Sequence, residues 1–196
     1  VLRDGIERRK EIILPSGEKL QKEYSTDLLF AGKLGEKKGV FSLLRAVEML
    51  YKENKNIRLF LAGDNGNTVE KEAVYALRKK CSYPLYFLGR LEQEELVKYY
   101  QFSDVFTLPS FFDAVPLTAL EALACGNKVV LSGLDGLEEF FRENCPNAPV
   151  FFAELPEMVN QDEMREEDQT LFEKRLEEVI QRAIVYHYSK MASLSH

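Results

Sequence analysis

The feature that most constrains the fold of this chain is an alternation of short apolar runs with longer amphipathic segments. The apolar runs occupy residues 27–32, 57–63, 84–89, 104–109, 128–133 and 149–152. Most of them stop at Gly or Pro. Because they are apolar at consecutive positions, they are typical of parallel strands that helices cover on both faces of a sheet.

The segments between these runs have helical spacing. In the first gap, Val40, Leu43, Leu44 and Val47 follow the i, i+3, i+4, i+7 pattern of one buried helical stripe. The same pattern recurs in the next three gaps and in a final segment, at residues 68–80, 92–103, 116–126 and 171–191. The alternation predicts an α/β fold, a Rossmann-like parallel sheet of about six strands with right-handed crossovers and helices on both faces.

The chain length of 196 residues favours a single domain. We divide it into a leading segment (1–25), a βα core (26–152), an acidic, Pro-interrupted solvated loop (153–170) and a C-terminal helix (171–196). Both ends of the chain come without a closing element, so we expect it to be a fragment of a longer protein.

Composition excludes several classes of function. Hydrophobic residues make up 45% and charged residues 30%, as in a folded globular protein. The formal net charge of -6, with cations scattered among more numerous acids, argues against nucleic acid as a partner. No apolar run reaches the roughly 20 residues of a membrane-spanning helix, and no charged-then-apolar leader opens the chain.

Cysteine and histidine usage gives further limits. Cys81, Cys125 and Cys145 are odd in number and widely spaced, so they predict neither a disulfide framework nor a zinc site. Free thiols favour a reducing, cytoplasmic location. The two histidines, His187 and His196, both lie near the C-terminus, which argues against a histidine metal site or a Ser-His-Asp triad.

Two loops follow predicted strands at the edge where ligands of open parallel sheets bind. In residues 31–39, Gly32 and two further glycines allow tight turns, and Lys33 and Lys38 are placed to reach into the cleft. The alternative is a flexible lysine-rich surface turn. In residues 62–67, Gly, Asp and Asn are common turn formers, so a purely structural role is at least as well supported as ligand contact.

A third loop leads into an unusual helix. Pro116 suits the first turn of a helix, and the backbone N–H groups of Leu117 and Thr118 then form an anion site. Glu121 lies about one helical turn further on, eight positions after Asp113. Glu121 is either a solvated helix residue or, among its apolar neighbours, a buried carboxylate that needs a partner. A pair of ligand hydroxyls would supply that partner.

Four blocks of this sequence closely resemble one family when taken together. They are FAGKLGEKKGVFSLLRAVEML, LFLAGDNGN, YFLGRLEQEELVKYYQFSDVFTLPS and FFDAVPLTALEALACGNKVVLS. In this order they resemble the C-terminal domain of GT-B fold glycosyltransferases of family GT4, the glycosyl transferases group 1. The resemblance covers residues 27–141 and implies a domain that binds a nucleotide-sugar donor.

The resemblance assigns roles to individual residues. It implies that Lys33 and Lys38, after Gly32, neutralise the donor diphosphate, and that Asp113 of the E-x7-E signature sits at the donor sugar. These two lysines and Asp113 are the implied catalytic residues. It further implies that Gly89, Arg90 and Leu91 form the loop that reads the nucleobase, and that the backbone of Ala114 and Val115 contacts the sugar. The helix start at Pro116, Leu117 and Thr118 would receive the phosphate, and Glu121 would bind the ribose.

Three residues depart from the family pattern. Lys33 replaces the usual Arg and lacks its two-pronged grip on phosphate. Asp113 replaces the usual Glu and is one methylene shorter, and Lys128 stands where Pro is common. These departures bear on sugar specificity and on catalytic rate.

The resemblance implies a retaining glycosyltransferase of cell-envelope polysaccharide biosynthesis. It would transfer a hexose from a nucleoside-diphosphate sugar, UDP-sugar before GDP-sugar, to a glycan or lipid-linked acceptor, without a cofactor and without a metal. An N-terminal domain outside this chain would bind the acceptor and attach the protein peripherally to the inner face of the membrane, so the fragment alone is expected to be inactive. The alternatives are a sugar-nucleotide epimerase of the same fold and a degenerate, non-catalytic nucleotide-sugar binding domain.

Overall fold

In the computed structural model, which describes residues 7–22, 26–64, 66–160 and 163–186, an antiparallel hairpin precedes a parallel sheet. The hairpin strands are β1 (Glu11–Ile13) and β2 (Lys19–Gln21). The six sheet strands are β3 (Thr26–Ala31), β4 (Ile57–Ala62), β5 (Leu85–Gly89), β6 (Val105–Leu108), β7 (Lys128–Ser132) and β8 (Val150–Ala153).

Helices follow the sheet strands, as the alternation predicts. They are α1 (Val40–Glu53), α2 (Thr68–Arg78), α3 (Gln93–Phe102), α4 (Leu117–Ala124), α5 (Leu137–Asn144) and α6 (Glu166–Val185). A 3₁₀ turn, Glu36–Lys38, precedes α1, and a second small strand pair, β9 (Met158–Asn160) and β10 (Glu163–Met164), precedes α6. The predicted α/β class and parallel sheet are confirmed.

The core lies on both faces of this sheet. Helix α1 packs against α2 and α6 on one face, and α3 packs against α4 on the other. The predicted stripe of α1 is buried, with Val40, Leu43 and Val47 fully inaccessible to solvent. Strands β4 and β6 are buried at nearly every position, which explains why their sequences are apolar rather than alternating.

The strand order reverses direction between β3 and β6, the position at which open parallel sheets bind ligands. It runs β5-β4-β3-β6-β7-β8, so the chain proceeds outward in one direction from β3 and in the opposite direction from β6. In such sheets the loops after the two central strands diverge at their carboxyl ends and leave a cleft. The lysine-rich loop follows β3, and the loop with Asp113 follows β6.

Some elements differ from the sequence-based interpretation. The segment predicted as a solvated loop, residues 153–170, contains the β9–β10 pair and the start of α6 at Glu166. Acidic residues fill the first turn of α6, where the helix dipole favours them, so the charge that suggested a loop marks a helix start. Helix α5 was not predicted, since it is only eight residues long and buries only Leu137 and Phe141.

Other predictions fall outside the described residues. They concern Asn65 of the loop after β4, His187, His196 and the predicted helix beyond Tyr186. Among the helices of the described ranges, none combines the length and the apolar character that a bilayer crossing requires.

A charged network ties the leading segment to the amino edge of the sheet. Asp27, fully buried at the start of β3, receives Arg58 Nε at 2.7 Å and Lys22 Nζ at 2.7 Å. Lys22 also pairs with Asp104, and Arg8 donates to the carbonyl of Cys125 at 3.3 Å. The predicted leading segment is therefore bonded into the domain along residues 8–22.

Candidate functional site

The loop between β3 and α1 is bonded to both neighbouring loops at the carboxyl edge. Leu34 N–H donates to Asp64 O at 2.8 Å, after β4. On the other side, Phe111 N–H donates to Lys37 O at 2.9 Å, after β6. Gly39 has φ 71°, and a Cβ there would lie 1.9 Å from Pro109 O, so only glycine allows this close approach.

The Glu70 carboxylate holds the same loop from the side of α2. It accepts a hydrogen bond from Glu36 N–H at 3.3 Å and another from Asn67 N–H at 3.1 Å. Asn67 and Glu70 form a capping box, in which Asn67 Oδ1 accepts from Glu70 N–H at 2.9 Å. A Cβ on Gly35 or Gly66 would approach the Glu70 carboxylate to 2.5 or 1.7 Å, so this arrangement depends on both glycines.

Lys38 and Asp113 meet across the crevice. Lys38 Nζ lies 2.6 Å from Asp113 Oδ2, and Ser110 Oγ donates to the same oxygen at 3.2 Å. The two side chains are 31% and 20% exposed, so the pair is open to a ligand but partly shielded from water. The first lysine, Lys33, is exposed, and its side chain lies beside Gly66 of the loop after β4.

The start of α4 presents free backbone donors. Pro116 O accepts from Ala119 N–H at 3.0 Å and from Leu120 N–H at 3.4 Å. The N–H groups of Leu117 and Thr118 precede these and have no acceptor among the described residues. Free N–H groups at the positive end of a helix dipole are the donors that the predicted anion site requires.

Glu121 has two partners on α3, which the sequence analysis did not predict when it suggested ligand hydroxyls as the partner of this carboxylate. Gln93 Nε2 donates to Glu121 Oε1 at 3.0 Å, and Tyr100 OH donates to Oε2 at 3.3 Å. The carboxylate is half-buried and has about four lone-pair positions, so about two remain for a ligand. Burial, together with the Glu121 charge, raises the pKa of Tyr100 well above its usual range.

The loop after β5 contains the residues expected to read the nucleobase. Gly89 has φ 69°, and its carbonyl accepts from Gly63 N–H at 2.8 Å, which joins this loop to the loop after β4. Gly89 and Arg90 are exposed, and Leu91 is half-buried. Helix α3 begins two residues later at Gln93.

The structure thus brings the predicted site residues to one edge of the sheet and joins Lys38 directly to Asp113. Sequence reasoning missed Gln93, Tyr100 and Ser110. Gln93 and Tyr100, about two helical turns apart, lie on one side of α3, but no sequence pattern links that side to Glu121.

Lys128, the third departure from the family pattern, lies elsewhere. It begins β7 at the amino edge, and its Nζ donates to Ile184 O near the end of α6 at 3.0 Å. Burial lowers the pKa of Lys128. Its place in the fold gives it a role in packing α6 rather than in the crevice.

A cavity of about 290 Å³ adjoins the crevice. It is lined by Glu36, Lys37, Phe111, Glu163, Met164 and Gln169. Over the described ranges, no three His, Cys, Asp or Glu side chains are arranged as a metal site requires.

Sequence comparison identifies relatives of this chain. A model of the family Glycosyl transferases group 1 matches residues 16–162. A glycosyltransferase of Methanocaldococcus jannaschii is 32% identical over 115 residues, which are 59% of this chain and 29% of the relative. D-inositol 3-phosphate glycosyltransferase of Corynebacterium jeikeium is 35% identical over 114 residues, or 55% and 27% of the two chains.

Solved structures share the fold. A UDP-forming trehalose-phosphate synthase from Burkholderia xenovorans matches with a TM-score of 0.60 at 17% identity, over 84% of this chain and 38% of its own. The pneumococcal O-GlcNAc transferase in complex with UDP and GlcNAc matches with a TM-score of 0.57 at 18% identity, over 82% and 30%. The chain therefore spans about a third of the length of these proteins.

Proposed function

Because this chain belongs to the group 1 glycosyltransferases, we propose that it is the donor-binding part of a retaining hexosyltransferase. The donor is a nucleoside-diphosphate sugar, UDP-sugar in preference to GDP-sugar, and the acceptor is a glycan or a lipid-linked sugar. An N-terminal domain binds the acceptor and brings the protein to the inner face of the membrane.

The observation that carries this proposal is that two positive features lie at the carboxyl edge of the sheet, where the strand order reverses between β3 and β6. Lys38 reaches into the crevice from the loop after β3, and the free N–H groups of Leu117 and Thr118 face out from α4 in the segment after β6. A diphosphate between them would receive a cation on one side and a helix dipole on the other. The relatives' names, which are those of glycosyltransferases, support the same assignment.

The chemistry follows from charge development. When the bond between the sugar and the diphosphate breaks, negative charge grows on the departing phosphate, and preorganised positive groups stabilise it. Lys38 and the start of α4 supply that stabilisation, and the exposed Lys33 adds to the local positive potential. Asp113, whose Oδ2 accepts a hydrogen bond from Ser110 Oγ, would contact the donor sugar. This scheme requires neither a metal nor a cofactor.

The experiment is calorimetric titration of this chain with UDP, GDP and ADP and with their sugars, for the wild type and Lys38→Ala. We expect one nucleotide to bind best and Lys38→Ala to weaken it by about tenfold to a hundredfold, as the loss of ~1.5–3 kcal/mol from a charged hydrogen bond implies. Lys55→Ala is the matched control, because Lys55 lies over the Tyr51 ring just before β4, at the opposite edge. Equal affinity in the wild type and Lys38→Ala would refute the role of Lys38.

A further inference from the structure

We propose that Gln93 and Tyr100 are positioning residues that hold the Glu121 carboxylate in the orientation required by the ribose hydroxyls of the donor nucleotide. This inference rests on the proposed function, in which Glu121 binds the ribose. It assigns to one face of α3 a part in nucleotide recognition that involves no direct contact with the nucleotide.

The contacts fix both oxygens of the carboxylate separately. Gln93 Nε2 lies 3.0 Å from Oε1, and Tyr100 OH lies 3.3 Å from Oε2. Both donors project from the same side of α3, which packs against α4. Because each oxygen has its own donor, rotation of the carboxylate about its terminal bond would break both hydrogen bonds.

The direction of these bonds is unambiguous. An ionised carboxylate only accepts, so the amide nitrogen of Gln93 and the hydroxyl of Tyr100 must donate. Tyr100 is fully buried and packs edge-on against Phe106, at a centroid distance of 5.8 Å, which fixes its ring. Burial and the neighbouring carboxylate raise the pKa of Tyr100, so the phenol keeps its proton.

The place of Gln93 adds a second link. It is the first residue of α3 and follows closely on the loop Gly89–Leu91 that is proposed to read the base. Gln93 therefore connects the base-reading loop with the ribose-binding acid. With both oxygens pinned, the remaining lone pairs of Glu121 are preorganised for two adjacent hydroxyl donors, as on a ribose.

The test compares ribose nucleotides with nucleotides that lack both hydroxyls. This chain is titrated with UDP and GDP, each beside its 2′,3′-dideoxy counterpart, and the ratio of the two affinities is measured. We expect Tyr100→Phe and Gln93→Ala each to weaken binding of the ribose nucleotide about threefold to tenfold. Binding of the dideoxy nucleotide should stay constant, because it makes no bond to Glu121.

Matched controls lie on the same helix. Tyr99→Phe removes a phenol that donates to Ile13 O at 3.2 Å, toward the N-terminal hairpin. Gln101→Ala removes an amide that accepts from Arg9 Nε at 3.1 Å. Neither side chain contacts Glu121, so both variants should keep the wild-type ratio.

The outcomes separate this inference from the proposed function. If Glu121→Ala removes the preference for ribose while Tyr100→Phe and Gln93→Ala retain it, the positioning role is overturned and the ribose role of Glu121 stands. If Glu121→Ala leaves the preference intact, the ribose role itself is wrong. Should Tyr100→Phe fail to fold, Gln93→Ala decides alone, since Gln93 is exposed and its truncation leaves the core intact.

Discussion

Asp113 is an acid placed against Lys38, the cation that we propose binds the donor diphosphate. Its Oδ2 atom lies 2.6 Å from Lys38 Nζ, so the carboxylate competes with any phosphate for the same ammonium group. The shorter Asp side chain, in place of the family's Glu, is held in this position by Ser110. Under the proposed function, this pair would set how strongly the site attracts the diphosphate against how closely it contacts the donor sugar.

Asp113→Asn should therefore raise the affinity for UDP, which has no sugar to contact. Removing one negative charge beside an anion site is expected to strengthen binding about threefold to tenfold, the equivalent of ~1 kcal/mol for a partly exposed pair. Calorimetry measures the change. Glu11→Gln is the control, because it removes an ion-paired acid of the N-terminal hairpin, 2.7 Å from Lys19. Weaker UDP binding by Asp113→Asn would show that the acid serves the nucleotide rather than opposing it.

The loop between β3 and α1 is the element on which the crevice depends. Its close approach to the end of β6 needs a residue without a Cβ at position 39, where φ is 71° and Pro109 O would lie 1.9 Å from that atom. The loop also carries Lys38, so its backbone path determines where the ammonium group lies.

Gly39→Ala should lower the free energy of unfolding by more than about 2 kcal/mol, because strain at positive φ adds to a backbone clash. Gly17→Ala separates the two effects, since Gly17 has φ 87° and nothing within 4 Å of its Cβ position. Gly17→Ala should lower the free energy of unfolding by only about 1 kcal/mol. Urea unfolding measures both variants. Equal losses would mean that the contact with Pro109 contributes nothing.

The elements that the sequence predicts best are those with a continuous apolar run or a clear helical stripe. All six sheet strands and five of the helices appear where apolar runs and helical stripes place them. Short elements escape this reasoning: β1 and β2 have three residues each, with only the middle residue of each buried, so no period can be read.

The candidate site shows a similar division. The loops after β3 and β6 are foreseeable, because glycines and a proline mark backbone turns locally. The partners of Glu121 are not, because Gln93 and Tyr100 lie 28 and 21 residues away in sequence and meet it only through the packing of α3 on α4. The ion pair of Lys38 with Asp113, 75 residues apart, depends likewise on the strand order.

On the scale of the whole molecule, the two edges of the sheet have different tasks. The amino edge holds the buried Asp27 with Arg58 and Lys22, a network whose charges satisfy one another and fasten the leading segment. The carboxyl edge keeps donors available, namely the free N–H groups that begin α4 and the half-exposed Lys38. Structure is stabilised at one edge, and ligand binding is expected at the other.

The proposed site is tested most directly by mapping where UDP binds on the isotope-labelled chain, with amide chemical shifts in NMR. Binding at the proposed site should shift amides at the carboxyl edge, in Gly32–Gly39, Gly89–Leu91 and Ala114–Glu121, and none at the amino edge around Asp27 and Arg58. Saturable shifts centred on the amino edge, or on the outer face of α6 with the crevice unchanged, would contradict it.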